Sequence, residues 1–84
     1  MNHITFKPKG VCSFQIDFDI DDEKKLHNTS FMGGCNGNLK AIGRLVEGKD
    51  AAEIADILRG NRCGMKGTSC ADQLAKAIDQ AIKA

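Results

Sequence analysis

The chain has 84 residues, a length that allows one compact domain with one small core and excludes a large multidomain enzyme. Hydrophobic residues make up 42% of the chain and charged residues 27%, which is typical of a globular domain and not of a disordered one. Twelve Lys and Arg stand against 11 Asp and Glu, and this net charge of +1 predicts no nucleic-acid partner. No apolar stretch is long enough to cross a bilayer and no secretory signal is evident, so we expect a cytoplasmic protein without a membrane partner.

The first third of the sequence alternates in the manner of antiparallel β-strands. A short first strand is expected to end at Pro8, because proline cannot donate to a β-ladder. The second predicted strand covers residues 11–20, and its inward-facing residues follow a period of two: Cys12, Phe14, Ile16, Phe18 and Ile20. A polar turn at residues 21–24 leads to a third strand at residues 26–32. The strands predict a meander with one face to be covered.

After the third strand the apolar spacing changes to that of helices. The first helix is predicted to end at Gly48 and the second at Gly60. Asp50 and Ser69 each stand three residues before an acidic residue, the spacing of an N-terminal cap, and predict the starts of the second and third helices. The predicted apolar positions are Leu39, Ile42, Leu45 and Val46, then Ile54, Ile57 and Leu58, then Leu74, Ile78, Ala81 and Ile82. The pattern indicates a single α+β domain over residues 1–84, with about three helices packed on one face of the sheet.

The four cysteines fall at places that suit a metal site. Cys12 opens the second strand, Cys35 lies where the third strand gives way to the first helix, Cys63 lies in a glycine-rich loop, and Cys70 lies in the first turn of the third helix. Helix N-termini favour the metal-binding thiolate form at Cys35 and Cys70. In a reducing cytosol, four thiols favour metal binding or redox chemistry over structural disulfides. Since the cysteines do not form paired C-x2-C knuckles, burial as small hydrophobic residues stays an alternative.

Other polar residues carry weaker signals. His3 and His27 lie among polar residues, and we expect both to face solvent without a metal-binding role. Asp17 and Asp19 fit the outward face of the second strand as solvated charge rather than as a site for a hard metal ion. Residues 33–38 resemble a phosphate-cradling loop, but they lack the Lys-Ser/Thr ending of a P-loop and the GxGxxG fingerprint. A helix start that requires glycine is the favoured interpretation of that segment.

Three segments together resemble the TSCPD domain, namely residues 10–13, 33–39 and 63–74. Residues 68–72 read Thr-Ser-Cys-Ala-Asp, with Ala71 where the naming motif of the family has proline. The resemblance covers nearly the whole chain. It implies a small stand-alone protein, or a domain of the kind that is appended to ribonucleotide reductases, notably the cobalamin-dependent ones. Any reductase activity would belong to a partner, because the chain is too short for the catalytic barrel of a reductase.

The order of strands, helices and cysteines is also similar to the NifU/IscU iron–sulfur scaffolds. This similarity implies the same three strands followed by helices. It matches three cysteines of this chain to the scaffold cysteines: Cys12, Cys35 and Cys70. Phe14 and Ser69 stand where many of those scaffolds have Asp and His, and Cys63 would add a fourth thiolate.

Taken together, the sequence favours a small metal-binding module without catalysis of its own. Cys12, Cys35, Cys63 and Cys70 would bind Zn²⁺ or an iron–sulfur cluster for assembly, delivery or docking onto a protein partner. The alternative is a ribonucleotide-reductase-associated accessory domain that binds nucleotide or uses Cys63 and Cys70 as a redox dithiol. A plain interaction domain with buried cysteines is a third hypothesis. The expected partner is a ribonucleotide reductase or the iron–sulfur machinery, and a homodimer stays open.

Overall fold

The structure, a computed structural model, describes residues 2–8, 13–33, 36–61 and 68–83. Its elements in chain order are β1 (Asn2–Phe6), β2 (Ser13–Ile20), β3 (Leu26–Gly33), α1 (Asn36–Val46), α2 (Ala51–Leu58) and α3 (Cys70–Lys83). This order confirms the predicted α+β arrangement of strands followed by helices. Within these ranges, no helix has the length and apolar content needed to span a membrane.

The strands form one antiparallel sheet in the order β1-β2-β3. Ile4 of β1 pairs with Phe18 of β2, and Phe6 pairs with Ile16, so that the apolar residues of both strands share one face. On the other side of β2, Ile16 is also the register partner of Phe31 in β3. Side chains of this face belong to the hydrophobic core, together with residues from all three helices.

The core lies between the apolar face of the sheet and the helices. Its largest fully buried side chains are Phe18, Ile16, Leu26, Leu74 and Ile78. Strand side chains supply the bulk on one side, and small residues of the helices allow close packing on the other: Ala51 and Ala55 of α2, and Ala75 and Ala77 of α3. Arg59, which follows α2, also forms a bidentate ion pair with Asp79 of α3, with Nη2–Oδ distances of 2.8 and 2.9 Å.

The predicted helix boundaries are confirmed by local hydrogen bonds and backbone angles. The Asp50 carboxylate accepts a hydrogen bond from the backbone N–H three residues later at 3.0 Å. The Ser69 hydroxyl accepts the equivalent bond at 3.1 Å. Gly48 and Gly60 follow α1 and α2 with φ angles of 72° and 84°, a conformation that side chains other than glycine rarely adopt.

The prediction that Phe14 belongs to the buried face is wrong, because this side chain is 59% exposed. The register between β2 and β3 shifts between Ser13 and Gln15, so Phe14 is an extra residue at a β-bulge. Such a bulge interrupts the alternation on which the prediction depended. Further along β2 the alternation holds, and Ile16 and Phe18 are fully buried.

The assignment of Leu45 and Ile57 to the apolar stripes of their helices is also wrong. Leu45 is 71% exposed and Ile57 is 67% exposed. Each lies one residue before a better-placed apolar residue, Val46 in α1 and Leu58 in α2. Because successive residues are about 100° apart around a helix, the packed stripe includes the second residue of each pair and leaves the first facing solvent.

Candidate functional site

The predicted metal ligands are the four cysteines, and the structure describes one of them. Cys70 is the first residue of α3 and is half-buried, which confirms its predicted place in the first turn of the last helix. Cys12, Cys35 and Cys63 lie outside the described residues. Within the described ranges, no group of three or more His, Cys, Asp or Glu side chains is arranged to hold a metal ion. The four-cysteine site therefore stays a prediction.

A network of hydrogen bonds holds the start of α3 in place. The Ser69 hydroxyl accepts a hydrogen bond from the backbone N–H of Asp72 at 3.1 Å and another from the side-chain amide of Asn61 at 3.2 Å. The same hydroxyl donates to the backbone carbonyl of Asn61. Ser69 is buried, with 6% of its surface exposed. The residue before Cys70 thus ties the first turn of α3 to the chain that leaves α2.

Asp72 provides the second part of this network. Its carboxylate accepts hydrogen bonds from the hydroxyl of Thr68 and, at 2.7 Å, from the backbone N–H of Gly60. These two bonds lower the pKa of Asp72, so the carboxylate stays charged. Thr68 also accepts a hydrogen bond from Gln73 Nε2 at 3.0 Å. Capping spacing alone indicates Ser69 and Asp72, whereas the part played by Thr68 is shown only by its hydrogen bonds with Asp72 and Gln73.

The sheet brings together the described residues that flank two other cysteines. Ser13 and Gly33 are register partners in the antiparallel ladder between β2 and β3. In the sequence, Cys12 directly precedes Ser13 and Cys35 comes two residues after Gly33. The two strand ends next to these cysteines in the sequence are therefore neighbours in the sheet.

His27, which was expected to face solvent, is half-buried and contacts two carboxylates. Its side chain is only 26% exposed, and both ring nitrogens lie 2.7 Å from carboxylates: Nε2 from Asp21 and Nδ1 from Glu47. Hydrogen bonds to Asp21 and Glu47 raise the pKa of His27 above its ordinary value. Glu47 also accepts a hydrogen bond from the backbone N–H of Asn28. Asn28 has a φ of 55° and lies at an irregular part of β3. These contacts connect the β2–β3 turn, β3 and the chain after α1.

The outward face of the sheet is polar, as predicted for Asp17 and Asp19. His3 is exposed as expected, and its Nδ1 lies 2.7 Å from Asp19 and its Nε2 lies 3.3 Å from Asp17. Thr5 donates to Asp17 at 2.7 Å and Asn28 donates to Asp19 at 3.0 Å. Hydrogen bonds from Asn28 and His3 lower the pKa of Asp19. The two carboxylates are therefore occupied by hydrogen bonds across the strands.

These observations define a small α+β domain in which helices cover one face of an antiparallel sheet and the last helix begins at a cysteine held by a capping network. The chain belongs to the TSCPD domain family, whose family model matches residues 2–82. Comparisons with curated proteins and with solved structures find no match to this chain. The similarity to NifU/IscU scaffolds stays a prediction.

Proposed function

We propose that this protein is a metal-binding module without catalysis of its own, with Cys12, Cys35, Cys63 and Cys70 as its thiolate ligands. The metal group is Zn²⁺ or an iron–sulfur cluster, since four thiolates suit either. The module acts in the cytoplasm in metal-centre assembly, delivery or docking onto a protein partner. That partner is a ribonucleotide reductase or a component of the iron–sulfur machinery.

The observation that carries the proposal is the environment of Cys70. The cysteine opens α3, and the neighbouring Ser69 and Asp72 are both buried and hydrogen-bonded to the segment that leaves α2. A helix N-terminus carries a partial positive charge, which stabilises a negatively charged metal-ligand group bound there. Because the network limits the freedom of the first turn, ordering of this ligand on metal binding would cost little conformational entropy.

The paired ends of β2 and β3 support the same proposal. Ser13, which follows Cys12 in the sequence, and Gly33, which stands two residues before Cys35, are register partners in the sheet. Two ligands that adjoin paired strand ends in the sequence, one at a helix start and Cys63 as the fourth would suit a closed four-coordinate centre.

Metal analysis of the full chain after aerobic and after anaerobic purification tests the proposal. We expect about one zinc per chain, or iron with sulfide and visible absorbance, in at least one preparation. Replacement of Cys70 by Ser should lower the bound metal while the far-UV circular dichroism stays that of a folded domain. The matched control is Met32→Leu, which removes an exposed sulfur from β3 without changing a thiol. Metal at background level in both preparations would refute the proposal.

The same preparations distinguish the alternative accessory role. If the protein is free of metal and an oxidant removes two thiols per chain with one intramolecular disulfide between Cys63 and Cys70, a dithiol function replaces the metal site. If neither metal nor a disulfide is found and replacement of all four cysteines by Ser leaves the fold intact, the cysteines are structural and the protein is an interaction domain.

A further inference from the structure

A groove of about 380 Å³ lies between β3 and α1, on the side of the sheet away from β1. We call it the α1–β3 groove. Its apolar walls include Phe31 of β3 and Leu39 of α1, and its polar lining includes Ser30, Lys40 and Arg44. The volume falls within the range of small-molecule sites, about 300–1,000 Å³. None of these residues belongs to the cysteine site proposed above.

The outer edge of β3 is already covered beside this groove. A Cβ atom at Gly43 would lie 2.6 Å from the backbone oxygen of Thr29, which shows that the helix backbone sits directly against the strand. The backbone N–H of Asn28 is bonded to Glu47 at 2.8 Å, and that of Leu26 is bonded to the Lys49 carbonyl at 2.9 Å. An added β-strand would have to displace these contacts. The geometry therefore favours a compact molecule over an extended peptide.

The charge of the groove is positive. Lys40 and Arg44 are four residues apart on α1, so their side chains lie on the same side of the helix. Both are exposed, and neither forms an ion pair with another described residue. The acidic lining residue, Glu47, is held by His27 and by a backbone N–H. Two cations thus face a groove whose carboxylate is already occupied, which favours an anionic ligand.

The groove also has an unused hydrogen-bonding group beside it. Thr29 lines the groove and is buried, and its hydroxyl oxygen has no hydrogen-bond partner among the described residues. A buried hydroxyl without a partner is unusual, because its desolvation is not compensated. Thr29 therefore supplies a polar group, unpaired among the described residues, within the wall of the groove, beside the charges of Lys40 and Arg44.

We propose that the α1–β3 groove binds a small organic anion. Its apolar or aromatic body packs between Phe31 and Leu39, and its carboxylate or phosphate group is bound by Lys40 and Arg44. We expect the groove to bind this ligand with or without metal at the cysteine site.

Titration of the ¹⁵N-labelled full chain with phenyl phosphate, followed by NMR, tests the proposal. Benzoate tests a ligand that carries a carboxylate in place of the phosphate. Inorganic phosphate and phenol test the charged group and the aromatic ring separately. We expect saturable shifts of the backbone amides of Ser30, Phe31, Gly43 and Arg44. Phenyl phosphate should bind about tenfold more tightly than inorganic phosphate or phenol, as expected when one charge-assisted hydrogen bond is added to apolar contact. Benzoate should likewise bind about tenfold more tightly than inorganic phosphate or phenol.

The double variant Lys40→Gln/Arg44→Gln should weaken binding about tenfold or more, whereas Lys25→Gln/Lys76→Gln, which removes two exposed charges elsewhere, should leave it unchanged. All substituted side chains are exposed, so the NMR spectra should show folded variants. The proposal is overturned by absence of saturable shifts, by equal weakening in both double variants, or by inorganic phosphate alone binding as tightly as phenyl phosphate. Tighter binding of an extended acidic peptide at the same residues would also overturn it, since the groove would then be a peptide site.

Discussion

Gly43 offers a direct test of how α1 is seated on the sheet. In an isolated helix, replacing an interior glycine by alanine stabilises the helix by about 0.5–1 kcal/mol, because alanine loses less backbone entropy. In this protein a Cβ at position 43 would lie 2.6 Å from the Thr29 carbonyl oxygen, whereas ordinary contact begins at 3.4 Å. We therefore expect Gly43→Ala to reverse the usual sign and destabilise the domain.

The expected magnitude follows from the nature of the clash. The atom that meets the new methyl group belongs to the backbone of β3, so it cannot rotate away as the end of a flexible side chain would. α1 would have to move outward by several tenths of an ångström and loosen the packing of Leu39 and Val46, both buried. Overpacking of this kind costs about 1–3 kcal/mol, which exceeds the gain in helix propensity. We expect a net loss of about 1–2 kcal/mol.

The assay is urea unfolding followed by circular dichroism, supported by thermal unfolding. For a domain of this size, each kcal/mol lowers Tm by roughly 4–8 °C. The matched control is Gly37→Ala in the first turn of the same helix, where a Cβ would meet nothing within 4 Å. This control should leave stability unchanged or raise it by up to about 1 kcal/mol. If Gly43→Ala were as stable as the unmodified protein, or stabilised it as Gly37→Ala does, the close approach of α1 to β3 would be refuted.

Three further predictions concern other contacts. Because Asp21 and Glu47 raise the pKa of His27 above 6.5, the stabilisation by its charged form is complete below that pH and is lost as the pH rises through the raised pKa. The difference in unfolding free energy between the unmodified protein and His27→Gln should therefore be largest below pH 6.5 and shrink as the pH rises above it, and a constant difference would contradict this assignment. Asp72→Asn removes a buried hydrogen-bonded carboxylate and should lower the free energy of unfolding, measured in urea, by about 1–3 kcal/mol. An unchanged urea midpoint would count against the hydrogen-bond network at the start of α3. Leu74→Ala should lower the free energy of unfolding by about 2–5 kcal/mol because Leu74 is fully buried. A loss below about 0.5 kcal/mol, which is typical of an exposed site, would contradict its place in the core.

The elements of this fold could be predicted because their signals are local. The alternation of Ile16, Phe18 and Ile20 describes a strand with one buried face, and all three are buried. The caps at Asp50 and Ser69 depend on residues three positions away, so the sequence alone indicates where α2 and α3 begin. These features depend on backbone geometry within a few residues, which neighbouring side chains decide.

Features that depend on partners distant in sequence could not be predicted in this way. Phe14 follows the strand alternation but is exposed, because the register with β3 introduces a bulge. The same limit applies to the candidate site. The sequence showed four cysteines at element boundaries, and the tertiary structure added the hydrogen bonds that hold Cys70 at the start of α3.

By itself, the sequence determined an α+β domain of the TSCPD family, the order of its strands and helices, and the position of Cys70 in the first turn of the last helix. Only the tertiary structure decided that His27 bridges two carboxylates and that α1 covers the edge of β3 at Gly43. The physical reason is that helix caps and strand periods are short-range properties of the chain. The His27 bridge and the α1–β3 groove arise where segments that are separated in sequence meet in the folded domain.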